Sequence, residues 1–363
     1  MRRITKNLIT FLSGILLTAL YCEFIIYYVV IAQCTWPELN IPRSRTELRA
    51  LIIADTHLLG SRKGHWLDKW RREWQMHRAF QSIMTLHEPE TVFVLGDLFD
   101  EGEWSSDKQF QDYVERFYKL FLVPDNVSMQ TVVGNHDIGF HYNIRPGSAQ
   151  RFFKSLNTSS VKMLTLKDNH FILLNSMAME GDSCSLCREA RYSIDKISRS
   201  LECSKYPDLC NDVSKLNYSR PILMQHFPLY RMSDALCTEP DAPPLPLRNK
   251  RFRNKIDSLS REATTYLTSK IKPRAVFGGH THHGCLVHHK DDKENIEFYE
   301  YSVPSFSWRN RPDPKYMLVT IRPESYVVNK CGLPKETTIA ITAVILVFIT
   351  CYYSFRTRLI GRR

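Results

Sequence analysis

The chain has 363 residues, 43% of them hydrophobic, and a formal charge of +11 at pH 7. One α/β domain of ordinary size, with a full core, fits within that length. Seven of the excess positive charges lie in the tails (Arg2, Arg3, Lys6, Arg356, Arg358, Arg362 and Arg363), leaving +4 for the rest. So small an excess is no electrostatic footprint for nucleic acid, and that partner class is excluded.

In chain order, a basic tail (1–7) precedes an apolar run (8–32) long enough to cross a bilayer, which takes about 20 residues. A cleaved signal peptide is the alternative, since "VIA" before Gln33 suits a peptidase, but the run exceeds the roughly 7 to 15 apolar residues of a signal. Glu23 sits inside the run, where a charge is expensive and is either functional or a helix-paired acid without a role. A second run (337–355) is followed by the basic tail 356–363, "RTRLIGRR", whose charge is read as topology-setting and not as a retrieval signal. Basic tails without acids place both termini in the cytoplasm and residues 33–336 in a secretory lumen. The sequons at Asn126, Asn157 and Asn217 all fall in that central part.

Between the runs, short apolar stretches recur: "ALIIADTH", "TVFVLGDLFD", "MQTVVGNHD", "HFILLNS", "PILMQHFP" and "AVFGGHTHHG". Bounded runs of this length read as buried strands. Helical patterns separate some of them, notably "DKWRREWQMHRAFQSIMTLH" and "DKQFQDYVERFYKLF", and the alternation predicts an α/β layered core over about 46–325. Trp66, Trp70 and Trp74 fall at helical spacing on the first of these. They predict either a face turned to substrate or bilayer, or a helix packing its tryptophans into the core.

Residues 177–220 interrupt the rhythm and are expected to be a loop or insertion. They contain Cys184, Cys187, Cys203 and Cys210, four of the ten cysteines. In an oxidising lumen these favour disulfides over zinc, with three pairings open. The proline-bearing segment 239–255 reads as a surface loop.

Polar residues cluster where the strand-like runs end. In extended chain, residues two apart share a side, so Asp55 and His57 of "DTH" can face one centre, as can His280 and His282 of "HTH", while His283 points away. Asp97, Asn135 and His226 also follow apolar runs, and open α/β sheets form sites at such ends. Seven oxygen and nitrogen donors without cysteine suit two hard or borderline divalent ions.

Taken in order, "DTH", "GDLFD", "GNHD", the His of "MQHF" and "GHTH" resemble the five-block signature of the calcineurin-like metallophosphoesterases. The resemblance implies a four-layer α/β/β/α sandwich, here flanked by two transmembrane helices. It assigns Asp55, His57 and His282 to one metal and Asn135, His226 and His280 to the other, with Asp97 bridging. It also implies that water is the nucleophile, His136 the general acid and Asp100 the group orienting it. "GDLFDEG" departs from the "GDxxDRG" of the protein phosphatases, and Phe99 or Asp100 stands where purple acid phosphatases place a tyrosine ligand, so neither activity is expected.

"DTHLLG", "GHWLDKWRREWQM", "VVGNHDIGFHY" and the two apolar runs are similar to one branch of that family, the early-secretory enzymes that remodel glycosylphosphatidylinositol (GPI) anchors. That resemblance implies removal of ethanolamine phosphate from the second mannose and manganese as the ion, with zinc or iron as alternatives. It implies membranes of the endoplasmic reticulum exit sites, the intermediate compartment and the cis-Golgi, with cargo-receptor or coat contacts through the tails. The remaining readings are another luminal nucleotide or lipid phosphodiester, or a non-catalytic scaffold of the same fold.

Overall fold

The computed structural model describes residues 2–40, 42–181, 184–210, 216–291 and 296–356. The tail 357–363, to which topology-setting charge and coat contacts were assigned, lies outside the described residues.

Two sheets face each other. The first has strand order β11-β10-β1-β2-β3, from β1 (Leu48–Ile53), β2 (Thr91–Leu95), β3 (Ser128–Val132), β10 (Lys315–Arg322) and β11 (Ser325–Gly332). The second has order β4-β5-β6-β7-β9-β8, from β4 (Val161–Leu166), β5 (Asn169–Leu174), β6 (Ile222–Gln225), β7 (Ala275–Gly278), β8 (Cys285–Asp291) and β9 (Ile296–Ser302). β1, β2 and β3 run parallel, as do β5, β6, β7 and β9, so their carboxyl ends collect at one edge of each sheet.

Period-2 alternation sorts the side chains. Ala50, Ile52 and Phe93 pack between the sheets against Phe171, Met224 and Phe277, while Leu51, Ile53, Val92 and Val94 face outward to helices. The Phe93 and Phe171 rings meet 4.9 Å apart across the sandwich. The outer layers hold α3 (Trp66–His87) and α4 (Asp107–Leu120) on the first sheet and α7 (Ser185–Lys205) and α8 (Arg261–Ile271) on the second. This is the four-layer sandwich expected. Short α5 (Asn135–Ile138) and α6 (Pro146–Ser155) follow β3.

Of the two readings of 177–220, loop or insertion, the loop fails: its longest described element is a helix. α7 buries Cys187, Ala190, Ile194 and Leu201, a helical repeat of three and four residues. Disulfides Cys184–Cys187 and Cys203–Cys210 lie at its two ends. Cys34–Cys331 and Cys237–Cys285 pair the other central cysteines, and Cys22 and Cys351 are free. The segment 239–255 is a loop with one short 3-10 turn, as expected.

The terminal helices are long and apolar enough to cross a membrane. α1 (Arg2–Leu20) continues through a π turn (Tyr21–Ile25) into α2 (Ile26–Ile31), and α9 (Glu336–Phe355) packs against α1 in antiparallel sense. Cys22 lies by Ile339, Gly14 by Thr350 and Phe11 by Phe355. A Cβ at Gly14 would stand 2.3 Å from a Thr350 carbon, so glycine permits this approach. The two helices differ in burial along their length. Ile4, Leu8, Leu12, Leu16 and Leu17 are exposed, whereas Ile26, Tyr27 and Ile31 are buried in the domain core.

Glu23 stands at that transition and has partners in α3. Its carboxylate accepts from the Arg71 guanidinium at 2.5 Å and from Trp74 Nε1 at 2.9 Å. Arg72 and Gln75 of the same helix bind Glu336 at the start of α9. One helix of the domain thus holds both terminal helices.

Candidate metal centre

The five sequence blocks converge where the parallel strands of the two sheets end. β1 delivers Asp55 and His57, β2 delivers Asp97 and Asp100, the β3–α5 turn delivers Asn135 and His136, β6 delivers His226, and β7 delivers His280 and His282. All seven expected ligands and both expected catalytic residues lie in this one cluster.

The local backbone is not the extended chain anticipated. Asp55, His57, Asp97, His280 and His282 have φ between 44° and 73°, the left-handed region. The strands stop two residues before Asp55, Asp97 and His280 and four before His57 and His282, and each ligand turns back toward the gap between the sheets. Such conformations cost about 1–3 kcal/mol each and persist where surrounding structure enforces them. Asp55 N donates to Gly96 O and His57 N to Asp97 O, locking the first two blocks together. A Cβ at Gly134 would lie 2.2 Å from Asp97 Oδ1, so the third block needs its glycine to approach the second.

Two donor groups share one carboxylate. Asp97 Oδ2 is 3.5 Å from His57 Nε2 and 3.2 Å from His226 Nε2. On one side His57 Nε2 lies 3.1 Å from His282 Nε2, and Asp55 Oδ1 is 3.6 Å from His282 Nε2. On the other, His226 Nε2 is 3.2 Å from Asn135 Oδ1, and His280 completes the group.

Second contacts aim these donors inward. His226 Nδ1 donates to Leu95 O at 2.9 Å and His280 Nε2 to Ile256 O at 2.8 Å, leaving the opposite ring nitrogen of each free to ligate. His57 Nδ1 meets Asp100 Oδ1 at 3.1 Å, so its Nε2 becomes an acceptor facing other acceptors. An acceptor-lined, buried nest of this kind fits a cation, and its oxygen and nitrogen donors suit divalent ions.

Electrostatics agree with the geometry. Burial, reinforced by the like charge of Asp97, holds the Asp55 carboxyl well above the usual carboxylate range. Burial also opposes ionisation of Asp97, but His226, His136 and His57 outweigh it and hold that carboxyl well below the range. Burial lowers His226, yet Asp97 more than offsets this and raises it to about 9. Two buried carboxylates with opposed tendencies call for added positive charge between them.

Asp100 lies between the candidate acid and a metal ligand. Its carboxylate is 3.1 Å from His57 Nδ1 and 3.6 Å from His136 Nδ1, and His136 Nδ1 lies 3.1 Å from the Asp100 carbonyl oxygen. It therefore serves a metal ligand at least as directly as the candidate acid. His136 is one-third exposed, with its other nitrogen turned away from these partners.

Three residues here escaped the sequence reading. Asp137, fully buried and raised to about 8 by burial and by Asp97, accepts from Gly134 N and Phe99 N and staples the second block to the third. Glu101, in the "GDLFDEG" block, accepts the backbone N–H groups of Arg62 and Lys63. Lys63 in turn reaches Asp100 at 3.5 Å. The signal available was their position inside or beside the blocks. His283 does turn from the donor cluster and lines a cavity of about 160 Å³ with Thr281, Lys250, Arg253 and Asp257, beside His280.

The sequence is similar to known proteins along most of its length. The calcineurin-like phosphoesterase family profile matches residues 48–284. The chain is 46% identical over 355 residues to "Metallophosphoesterase 1 homolog" of Drosophila melanogaster, covering 96% of this chain and 94% of that one. It is 47% identical over 330 residues to "Metallophosphoesterase 1" of Ailuropoda melanoleuca (89% and 82%), and 43% over 337 residues to that of Danio rerio (92% and 87%).

Proposed function

The chain belongs to the calcineurin-like phosphoesterases and is a metal-dependent phosphoester hydrolase, and from that premise we propose that it removes ethanolamine phosphate from the second mannose of GPI anchors. The observation that carries this reading is the brace between α3 and the terminal helices. Arg71 and Trp74 hold Glu23, and Arg72 and Gln75 hold Glu336, so the domain is fixed to both apolar helices by the helix that follows the first metal block. A catalytic centre held in this way suits a phosphodiester that is itself anchored in a bilayer.

Asp55, His57, Asp97 and His282 would hold one divalent ion, and Asp97, Asn135, His226 and His280 the other, with manganese the ion we propose. Two such ions, when bound, polarise phosphoryl oxygens and make water nucleophilic near neutral pH. The chain's own residues do the rest. His136 offers a proton to the departing sugar oxygen, with its Nδ1 held at the Asp100 carbonyl. Asp100 keeps His57 in the tautomer that presents Nε2. The cavity beside His280, with Lys250 and Arg253 in its wall, accepts further anionic groups of the glycan.

We take both terminal helices as spans, with both termini cytoplasmic and the domain luminal; the first, expected over 8–32, is placed at about 4–20 because Ile26, Tyr27 and Ile31 are buried in the domain core. Their antiparallel pairing supports a shared side for the termini. Exposed Asn126, Asn157 and Asn217 support glycosylation, and the four disulfides support an oxidising lumen. Residence in endoplasmic reticulum exit sites, the intermediate compartment and the cis-Golgi, and coat or cargo-receptor contacts through the tails, belong to the same proposal.

Mass spectrometry of the GPI glycan on a surface protein tests it, in cells lacking the chain and in cells re-supplied with wild type or Asp97→Ala. Persistence of ethanolamine phosphate on the second mannose, removed only by wild type, is the expected result. An unchanged glycan after deletion sinks the substrate and leaves the phosphoesterase.

A further inference from the structure

Resting on the reading of the terminal helices as spans, we infer that the amino-terminal turns of α3 are a membrane-docking face: Trp66, Leu67 and Trp70 sit in the headgroup boundary of the bilayer from which those helices emerge.

The three side chains are 71%, 50% and 59% exposed, an unusual waste of tryptophan on a helix whose later turns are core. Trp74, one turn further, is not part of the face, because its indole binds Glu23 and stacks edge-on against Phe24 at 5.4 Å. The expected row of three tryptophans thus splits into one brace and two outward rings.

The direction of α3 says what covers them. Contacts of the first helix and the segment after it with α3 climb together: Glu23 meets Arg71 and Trp74, Phe24 meets Trp74 and Arg78, and Trp36, past the helix end, meets His87. The two therefore run side by side in the same sense. Followed backward, α3 begins at Trp66, at the level of the part of α1 that precedes Tyr21, where Leu16, Leu17 and Leu20 turn exposed. Glu336, where α9 departs, meets Arg72 and Gln75 at the same level. The exposed rings thus lie toward the lipid-facing stretch of both helices.

The chemistry suits an interface and not the hydrocarbon centre. Tryptophan favours the headgroup level, where an apolar ring and a polar N–H are both accommodated. Exposed Arg62 and His65 and half-buried Lys63 and Lys69 flank the rings, suited to lipid phosphates.

The face is also tied to the metal centre. Asp68, in the first turn of α3, pairs with Arg309 at 3.0 Å, and the adjacent Asn310 donates to the Asp55 carbonyl at 3.3 Å. Lys63, three residues before Trp66, reaches Asp100. Docking would therefore set the height of the metal cluster above the bilayer, selecting phosphoesters that project from lipid.

The test uses the full chain in phosphatidylcholine vesicles with bromine on the acyl chains near the headgroup. Subtracting the emission of W66F/W70F from that of wild type isolates the two rings, and thermal unfolding checks that the variant folds. The expected result is quenching of the difference emission about twofold or more by brominated lipid, with protection from aqueous iodide, since interfacial side chains reach roughly 5–10 Å into the boundary. Quenching by iodide instead, in a chain that resists carbonate extraction, overturns the docking face and leaves the spans intact. Protection from both quenchers overturns it in favour of a protein cover, such as a second copy. Release of the chain by carbonate removes the membrane reading and this inference with it. Should W66F/W70F not fold, the single variants W66F and W70F give the same subtraction one ring at a time and decide in the same way.

Discussion

The middle of the sandwich and its metal edge obey opposite rules. Between the sheets, β1, β2, β5 and β7 alternate apolar side chains on regular backbone, and Phe93 and Phe171 close the gap. Two to four residues past the ends of β1, β2 and β7 the chain turns left-handed and buries two carboxylates and a set of imidazoles. The middle stabilises the fold, while the edge costs backbone strain and desolvation and becomes favourable once charge is supplied. Substitutions in the two regions should therefore separate activity from stability.

The largest separation is expected at Asp97. Asp97→Ala removes the oxygen common to both donor groups and should lower kcat/KM at least about 1,000-fold, roughly 4 kcal/mol of transition-state stabilisation. In the metal-free protein burial of the Asp97 carboxylate and its stabilisation by His226, His136 and His57 oppose each other, so the change in apo stability should be smaller than that of a core truncation. A fall in apo stability on chemical denaturation as large as that of a core truncation would break the contrast. The converse case is Phe93→Ala, which leaves every donor in place and should cost about 3–5 kcal/mol of stability. Denaturant midpoints of the full chain in detergent read this directly.

Asp100 sharpens the comparison within the edge itself. Asp100→Asn should reduce activity about 10–100-fold, the usual cost of losing a partner of a metal ligand. Because the carboxylate is nearer His57 than His136, added manganese should restore most of the loss. His136→Ala should cost about 100- to 10,000-fold with no recovery at high metal. If Asp100→Asn is equally deaf to metal, its service to His136 dominates.

How much of this was legible in the sequence follows the same division. The six apolar runs became strands, and all seven donors met, because strand ends in a parallel sheet must gather whatever polar residues follow them. Alternation along an extended chain did not survive at Asp55 and His57, since sterics of the block glycines and of the paired loops set the backbone there, not strand periodicity. α7 was hidden by its own cysteines: the repeat Cys187, Ala190, Ile194, Leu201 was present, but four cysteines in 27 residues suggested irregular chain. Glu23 was visible as an anomaly and Trp74 as one of a spaced row, yet Arg71 and Trp74 are about 50 residues from Glu23 and nothing in sequence links them to it.

That pair predicts a smaller effect. Side chains of Glu23 and Arg71 are about one-third exposed, and such ion pairs contribute at most about 1 kcal/mol. Glu23→Gln should therefore shift the midpoint slightly while keeping the Trp74 bond. A loss of several kcal/mol would mean that the brace lies in a less polar setting than its exposure implies.

The smallest effect concerns acid, far from the metal edge. Burial would raise the Glu47 carboxyl, but hydrogen bonds from Arg322 and Arg43 outweigh it and hold it below its ordinary value of 4.5. The folded state therefore binds this proton less readily than the unfolded chain. Its stabilisation is complete above the unfolded value and disappears as pH falls through the lower folded one. Glu47→Gln should flatten the acid limb of a Tm-versus-pH curve below about 4.5 while leaving its slope between 6 and 8 unchanged, a change on the order of 1 kcal/mol or less. An identical acid limb in wild type and variant would shift the acid sensitivity to other carboxylates, first among them Asp97 and Asp100, whose folded values are also depressed.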